Sequence, residues 1–285
     1  MDRDPKFTIW IITLNRQIHK DEDALCVKYI DAKSQKKAMN IADRSEAFRF
    51  VMAQLLPRLV MRNRNYNRPP TQWYYNTNSS AKEYYSCPQE NKVFGFSTAW
   101  SESIITIASS FGRKSQVVNI GMEVMQLVPR NVPAREYTEA FAHKLTANER
   151  TLLDSSPQDD VILRRLCIIL TVKSAYVKAL GQPLGFDYGR IDCDIPHETI
   201  RIDGKPLKGW EFRLFKANLG VVRKGLLIEE SYQCSTAMYR GLDKTVFIWE
   251  EDAKAMASWC HFIPIDTVLQ SLQPPTPKQD QKATP

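Results

Sequence analysis

The stretch LTVKSAYVKALGQPLGFD, Leu170–Asp187, decides how the chain is read. Its first half continues the apolar run VILRRLCIIL (161–170). Together they read as one buried helix from near Asp160 to Leu180, stopped by Gly181 and Pro183. Thr171, Ser174 and Lys178 fall on one face of that helix by their spacing. A polar stripe on so apolar a helix is either its solvent face or the wall of a site.

Upstream, KFTIWIIT (6–13) reads as a strand. ADRSEAFRFVMAQLLPRLVM (42–61) reads as an amphipathic helix opened near Asp43, with Phe48, Val51, Met52, Leu55 and Leu56 on its apolar face. Pro57 is expected to kink or end it. The polar, aromatic-flecked segment 62–92 reads as a long loop. VFGFST (93–98), SIITIA (103–108) and VVNIGMEVMQLV (117–128) read as strands. In the last of these, Ile120, Met122 and Val124 share one side, and Gly121, Glu123 and Met125 the other. Short helices are expected over 133–155, where Thr146 and Glu149 have the spacing of a capping box. After Leu180 come β-like segments, among them HETIRIDGKPL, GWEFRLFKA, KGLLIEES, STAMYRG and TVFIWEE. The order strand, helix, strands occurs twice. We therefore expect an α+β fold of two related halves, residues 1–115 and 116–270, followed by a disordered tail, 271–285.

The 285 residues carry 39 basic and 32 acidic side chains, a net charge of +7. Arg44, Arg49, Arg58, Arg62 and Arg64 are among an early basic cluster. No run of five or six like charges points to a nucleic-acid tail. The six cysteines and four histidines are scattered, without metal-ligand spacing. No segment approaches the roughly 18 apolar residues of a membrane span. The expectation is a cytoplasmic monomer with reduced thiols that binds neither nucleic acid nor membrane.

Glu123 is an acid in the middle of an apolar strand. It is either an edge residue facing water or a paired group in a site, because a buried carboxylate needs a partner. IGMEV (120–124) followed by KSAYVKALG (173–181) resembles the paired motifs of the Sfp-type 4′-phosphopantetheinyl transferases. That family shows Gly-x-Asp on a strand and Trp-x-x-Lys-Glu-x-x-x-Lys-x-x-Gly on a helix. ADRSEAFRFVMAQLL is similar to its N-terminal helix, and VFGFST lies where it has Phe-Asn-x-Ser-His. LGFD, GKPLKGWEFRLFKANLGV and YQCSTAMYRG are like its fungal members.

The resemblance implies two pseudo-twofold halves with coenzyme A between them. It also implies Mg²⁺ bridging the pyrophosphate and acidic side chains, and transfer of phosphopantetheine to a carrier-protein serine. The partner would be an acyl or peptidyl carrier domain of a polyketide or non-ribosomal peptide synthase. On these positions Glu123 would be metal ligand and base, and Lys178 would hold the pyrophosphate. Ser97 and Arg44 would hold the 3′-phosphate, with Thr98 and Lys173 beside them. The departures are concentrated at the chemistry. Glu123 stands for the aspartate, Ser174 for the glutamate, Leu170 for the tryptophan, Gly95 for the asparagine and Thr98 for the histidine. Ser174 removes a charge from the metal site. A second expectation therefore stands beside the first: a member of the fold turned to another step, such as dehydration or cyclisation, or to binding a carrier protein without transfer.

Overall fold

The computed structural model describes residues 7–64, 73–127, 133–156, 158–181 and 185–273. In the first half, β1 (Phe7–Thr13) leads through α1 (Lys20–Val27) and α2 (Ala32–Met39) to the long α3 (Arg44–Arg64). Then come β2 (Tyr74–Thr77), β3 (Glu83–Cys87), β4 (Lys92–Ser101), β5 (Ile104–Gly112) and the short α4 (Lys114–Val117). The second half opens with β6 (Ile120–Gln126), α5 (Ala134–Ala140), α6 (Ala147–Asp154) and α7 (Asp159–Leu180). It continues through β7 (Ile191–Asp194), β8 (Thr199–Ile202), β9 (Lys205–Pro206), β10 (Trp210–Arg223), β11 (Leu226–Tyr239) and β12 (Val246–Glu250). The chain closes with α8 (Ala253–Ala257), β13 (Cys260–Pro264) and α9 (Ile265–Leu272).

The fold is α+β, and one unit recurs in it. A first strand, a long helix and a hairpin assemble as β1-β5-β4 in one sheet and as β6-β11-β10 in the other. In both, the first strand runs antiparallel beside the second arm of the hairpin. Each unit gains one parallel strand, β13 beside β1 and β12 beside β10. Residues 260–272 thus return to the first half: β13 extends its sheet, and α9 buries Val268, Leu269 and Leu272 in the core beneath α3.

Three of the apolar clusters among the described residues define the two cores and the seam between them. Phe48, Met52, Leu55 and Leu56 of α3 pack on Phe94 of β4 and Ile105 of β5. Leu166, Ile169 and Val172 of α7 pack with Phe212 and Leu214 of β10. Between the halves, Ile9 and Ile11 of β1 meet Met122 and Val124 of β6 and Cys234 of β11. The alternation along β6 therefore holds: Ile120, Met122 and Val124 are buried at the seam, and the other side of the strand faces α7.

Several local expectations are revised. α3 runs through Pro57 to Arg64, because Leu55, Leu56, Leu59 and Val60 on either side are buried against the sheet. That packing outweighs the lost hydrogen bond. Part of the expected loop is the hairpin β2–β3, clasped by Tyr75 and Tyr85 with ring centroids 5.5 Å apart. The segments KGLLIEES and STAMYRG belong to one strand, β11. Of the expected tail, Ser271 and Leu272 end α9, and residues 274–285 lie outside the described residues. Among the described residues no helix is long and apolar enough to cross a membrane.

Candidate functional site

Gly121 sets the site. A Cβ built on it would lie 1.7 Å from the Ala175 carbonyl oxygen and 2.8 Å from the Ala179 nitrogen. Without a side chain, β6 lies directly on the backbone of α7, and Glu123, two residues on, meets that helix. Lys178 Nζ stands 3.3 Å from Glu123 Oε2 and donates to the Thr98 carbonyl of β4 at 3.3 Å. One lysine of the second half thus touches both the acid of β6 and a strand of the first half. The pair is 28% and 21% exposed, so it opens to water rather than lying in the core.

The seam itself is stitched. Met122 N donates to Ser97 Oγ at 3.0 Å, and Gln126 N to Ser101 Oγ at 3.2 Å. Gly95, where the resembling family has asparagine, is explained by close approach: a Cβ there would lie 1.7 Å from the Val117 carbonyl oxygen. Lys82, one residue before β3, is buried and donates to Phe96 O of β4 at 2.9 Å and Ile120 O of β6 at 2.6 Å.

Burial pushes the Lys82 amine down to about 7; Glu83 opposes this and the Lys178 charge adds to it. A neutral amine has two N–H groups, which match its two carbonyl partners. The unfolded chain keeps the proton up to the ordinary lysine value of about 10.4. Between about pH 7 and that value the unfolded state binds more protons, so this group makes stability rise with pH. Lys82→Met is therefore expected to be less stable throughout, since two carbonyls lose their donor. It should also flatten the rise expected for wild type in urea denaturation between about pH 7 and about pH 9.5. A variant with the wild-type slope would assign that rise to other groups.

The polar stripe divides in the structure. Thr171 is fully buried and shares a 2.8 Å hydrogen bond with Ser235 of β11. Ser174 and Lys178, one turn apart, reach the half-exposed surface. Lys173 is not brought to the cleft. It is turned into the protein, where Nζ donates to Glu149 Oε2 at 2.6 Å, Lys144 O at 2.8 Å and Tyr188 O at 3.2 Å. Both side chains of this ion pair are fully buried. Glu149 also completes the expected capping box with Thr146 and accepts from Cys193 N at 2.8 Å. The sequence placed Lys173 with the phosphates because it sits in the motif. Its helical position, a quarter-turn from Ser174, points it inward instead.

Arg44 lies elsewhere on the seam. It lines a cavity of about 340 Å³ between the start of α3, the β4–β5 turn and the tip of the β10–β11 hairpin. Arg16, Arg49, Arg223 and Lys224 line it too, over a floor that includes Phe48 and Val221. Arg16 is held by Glu22 and Asp266, and Arg223 by Glu230. Arg44 has a looser hold on Asp23, at 3.4 Å.

Sequence reasoning missed Tyr188. Its hydroxyl lies 3.2 Å from Ser174 Oγ, and its ring sits under the Lys144 ammonium, 5.3 Å from the centroid. No motif flags it; only the fold brings it back to α7.

The donor set does not fit a Mg²⁺ ion held by paired carboxylates. Among the described residues no three His, Cys, Asp or Glu side chains gather. Glu123 is the sole carboxylate of the cleft placed by the motifs, and it is already ion-paired with Lys178. Across from it, where the helix motif would supply a second acid, stand two hydroxyls. Mg²⁺ takes oxygen ligands in a near-ideal octahedron, and a lysine ammonium beside its one carboxylate opposes that charge.

Residues 119–237, from the start of β6 into β11, match the family model of the 4′-phosphopantetheinyl transferase superfamily. The chain is 32% identical over 217 residues to the 4′-phosphopantetheinyl transferase pptA of Paxillus involutus, which covers 73% of this chain and 81% of that protein. The chain belongs to the 4′-phosphopantetheinyl transferase superfamily.

Proposed function

We propose that the protein moves the phosphopantetheine arm of coenzyme A onto a serine of a carrier-protein domain. The observation that carries this reading is the Glu123–Lys178 pair, which opens at the junction of β4, β6 and α7 beside Thr98. Glu123 takes the proton of the incoming serine hydroxyl. The serine oxygen then bonds to the phosphorus that carries the arm. The bond from that phosphorus to the nucleotide oxygen breaks, and adenosine 3′,5′-bisphosphate leaves with the electron pair. Lys178 neutralises charge on the phosphate oxygens as a point charge. Four residues of extended strand, roughly 13 Å, separate Thr98 from Glu102 at the arginine-lined cavity. Coenzyme A is long enough to place its arm at Glu123 and its nucleotide end near Arg44. Thr98 serves the stretch between, whereas Ser97, the neighbouring residue on the strand, is buried at the seam with its hydroxyl on Met122 N. A carrier domain of a polyketide or non-ribosomal peptide synthase is the natural acceptor.

A second reading is favoured by one observation. Ser174 and Tyr188 occupy the wall where the family's second acid stands, leaving a single carboxylate. On that reading the protein binds coenzyme A or a carrier domain without transfer. Intact-mass spectrometry of an apo carrier domain, incubated with the protein and coenzyme A, separates the two. Transfer adds one phosphopantetheine mass, and Glu123→Ala slows it about 10²- to 10⁴-fold, the ordinary loss on removing a general base. No mass gain, while coenzyme A still binds and a working transferase modifies the same carrier domain, would give the site to binding alone.

A further inference from the structure

Tyr188 is held in place from several directions. Its carbonyl accepts from Lys173 Nζ at 3.2 Å, which ties it to the buried Glu149–Lys173 pair. Asp187 before it accepts from Gly189 N at 2.8 Å and fixes the turn. Its hydroxyl meets Ser174 Oγ, and Ser174 is one turn from Lys178. Burial, outweighing the opposing Ser174 hydrogen bond and aided by the Glu123 charge, keeps the phenol above its usual range. The O–H therefore stays protonated at neutral pH.

This reverses the polarity of one wall. A carboxylate at position 174 would accept hydrogen bonds and repel a phosphate unless a cation stood between them. A serine–tyrosine pair with Lys178 beside it presents donors, and donors hold a phosphate oxygen directly. We infer that Tyr188, positioned by Ser174, is a phosphate-binding residue of this cleft, and that with Lys178 it grips the pyrophosphate of the ligand without a bridging divalent cation. The inference rests on the coenzyme A reading above.

Calorimetric titration tests it with three ligands and three proteins. Coenzyme A should bind wild type equally well in Mg²⁺ and in EDTA. Tyr188→Phe, which removes one oxygen and leaves the ring in place, should weaken coenzyme A by about ten- to a hundredfold. It should weaken adenosine 3′,5′-bisphosphate much less, because that ligand lacks the pyrophosphate, and 3′-AMP not at all. A merely structural role for Tyr188 would weaken all three alike. Ser174→Glu is the converse variant: its coenzyme A binding should fall in EDTA and recover with Mg²⁺. Unchanged coenzyme A affinity in Tyr188→Phe, or wild-type binding that EDTA abolishes, overturns the inference and leaves the transferase reading standing. Failure of wild type to bind coenzyme A under either condition sinks that reading, and the inference with it.

Discussion

Replacing Lys173 by methionine is expected to destabilise the protein by about 3–5 kcal/mol, the usual loss when one partner of a buried ion pair is removed. The reason lies in what remains. Glu149 would keep its two backbone donors, Thr146 N and Cys193 N, but its charge would stay fully buried with no counter-charge. Lys144 O and Tyr188 O would each lose a donor as well. Urea denaturation should show a lower midpoint at an unchanged slope. Adding Glu149→Gln should restore part of the loss, because the charge is gone and the amide oxygen still accepts from one of the two backbone donors. A double variant no better than Lys173→Met alone would mean that the lost donors, not the stranded charge, dominate. A Lys173→Met protein as stable as wild type would show that the pair holds nothing together.

Gly121→Ala is expected to do comparable damage for an unrelated reason. Its new methyl would meet the Ala175 carbonyl and the Ala179 nitrogen, both backbone atoms of α7. No side chain can rotate away, so strand and helix must part. Overpacking a core typically costs about 1–3 kcal/mol, and a clash with rigid backbone belongs at or above the top of that range. The separation also pulls Glu123 from Lys178, so carrier modification should fall along with stability. Gly220→Ala is the control. Its added methyl meets only the end of the Leu227 side chain, at 3.3 Å. Equal midpoints for the two variants would rule out the close approach at Gly121 as a special constraint.

The long elements were legible in the sequence because periodicity reports burial directly. The apolar run before Leu170 gave α7, and the alternation around Glu123 gave the two faces of β6. The family was legible from motifs spread along the chain, and the comparisons show it. The hairpin β2–β3 was not legible, since its tyrosines and asparagines carry the composition of a loop and only strand pairing reveals their order. At Lys173 the motif and the helix geometry part: the motif sets it beside the phosphates, while its side chain is turned inward onto Glu149. The inward turn of position 173 was readable from the same spacing that put Ser174 and Lys178 together. Tyr188 could not have been found locally: what matters is its distance from Ser174, set by the path of the chain between α7 and β7.

The return of residues 260–272 to the first sheet has a consequence for how the protein is made. β1 is synthesised well before its parallel neighbour β13, which follows some 250 residues later. At roughly 5–20 residues per second, β1 waits about 10–50 s for that neighbour. During that interval the Ile9–Thr13 edge of the nascent sheet is open to any strand that meets it. The second half can finish its own sheet in the meantime, because β12 is made before β13. Assembly then runs against the order of synthesis: of these two halves the one begun first is completed last, and a nascent-chain chaperone has most to protect at β1.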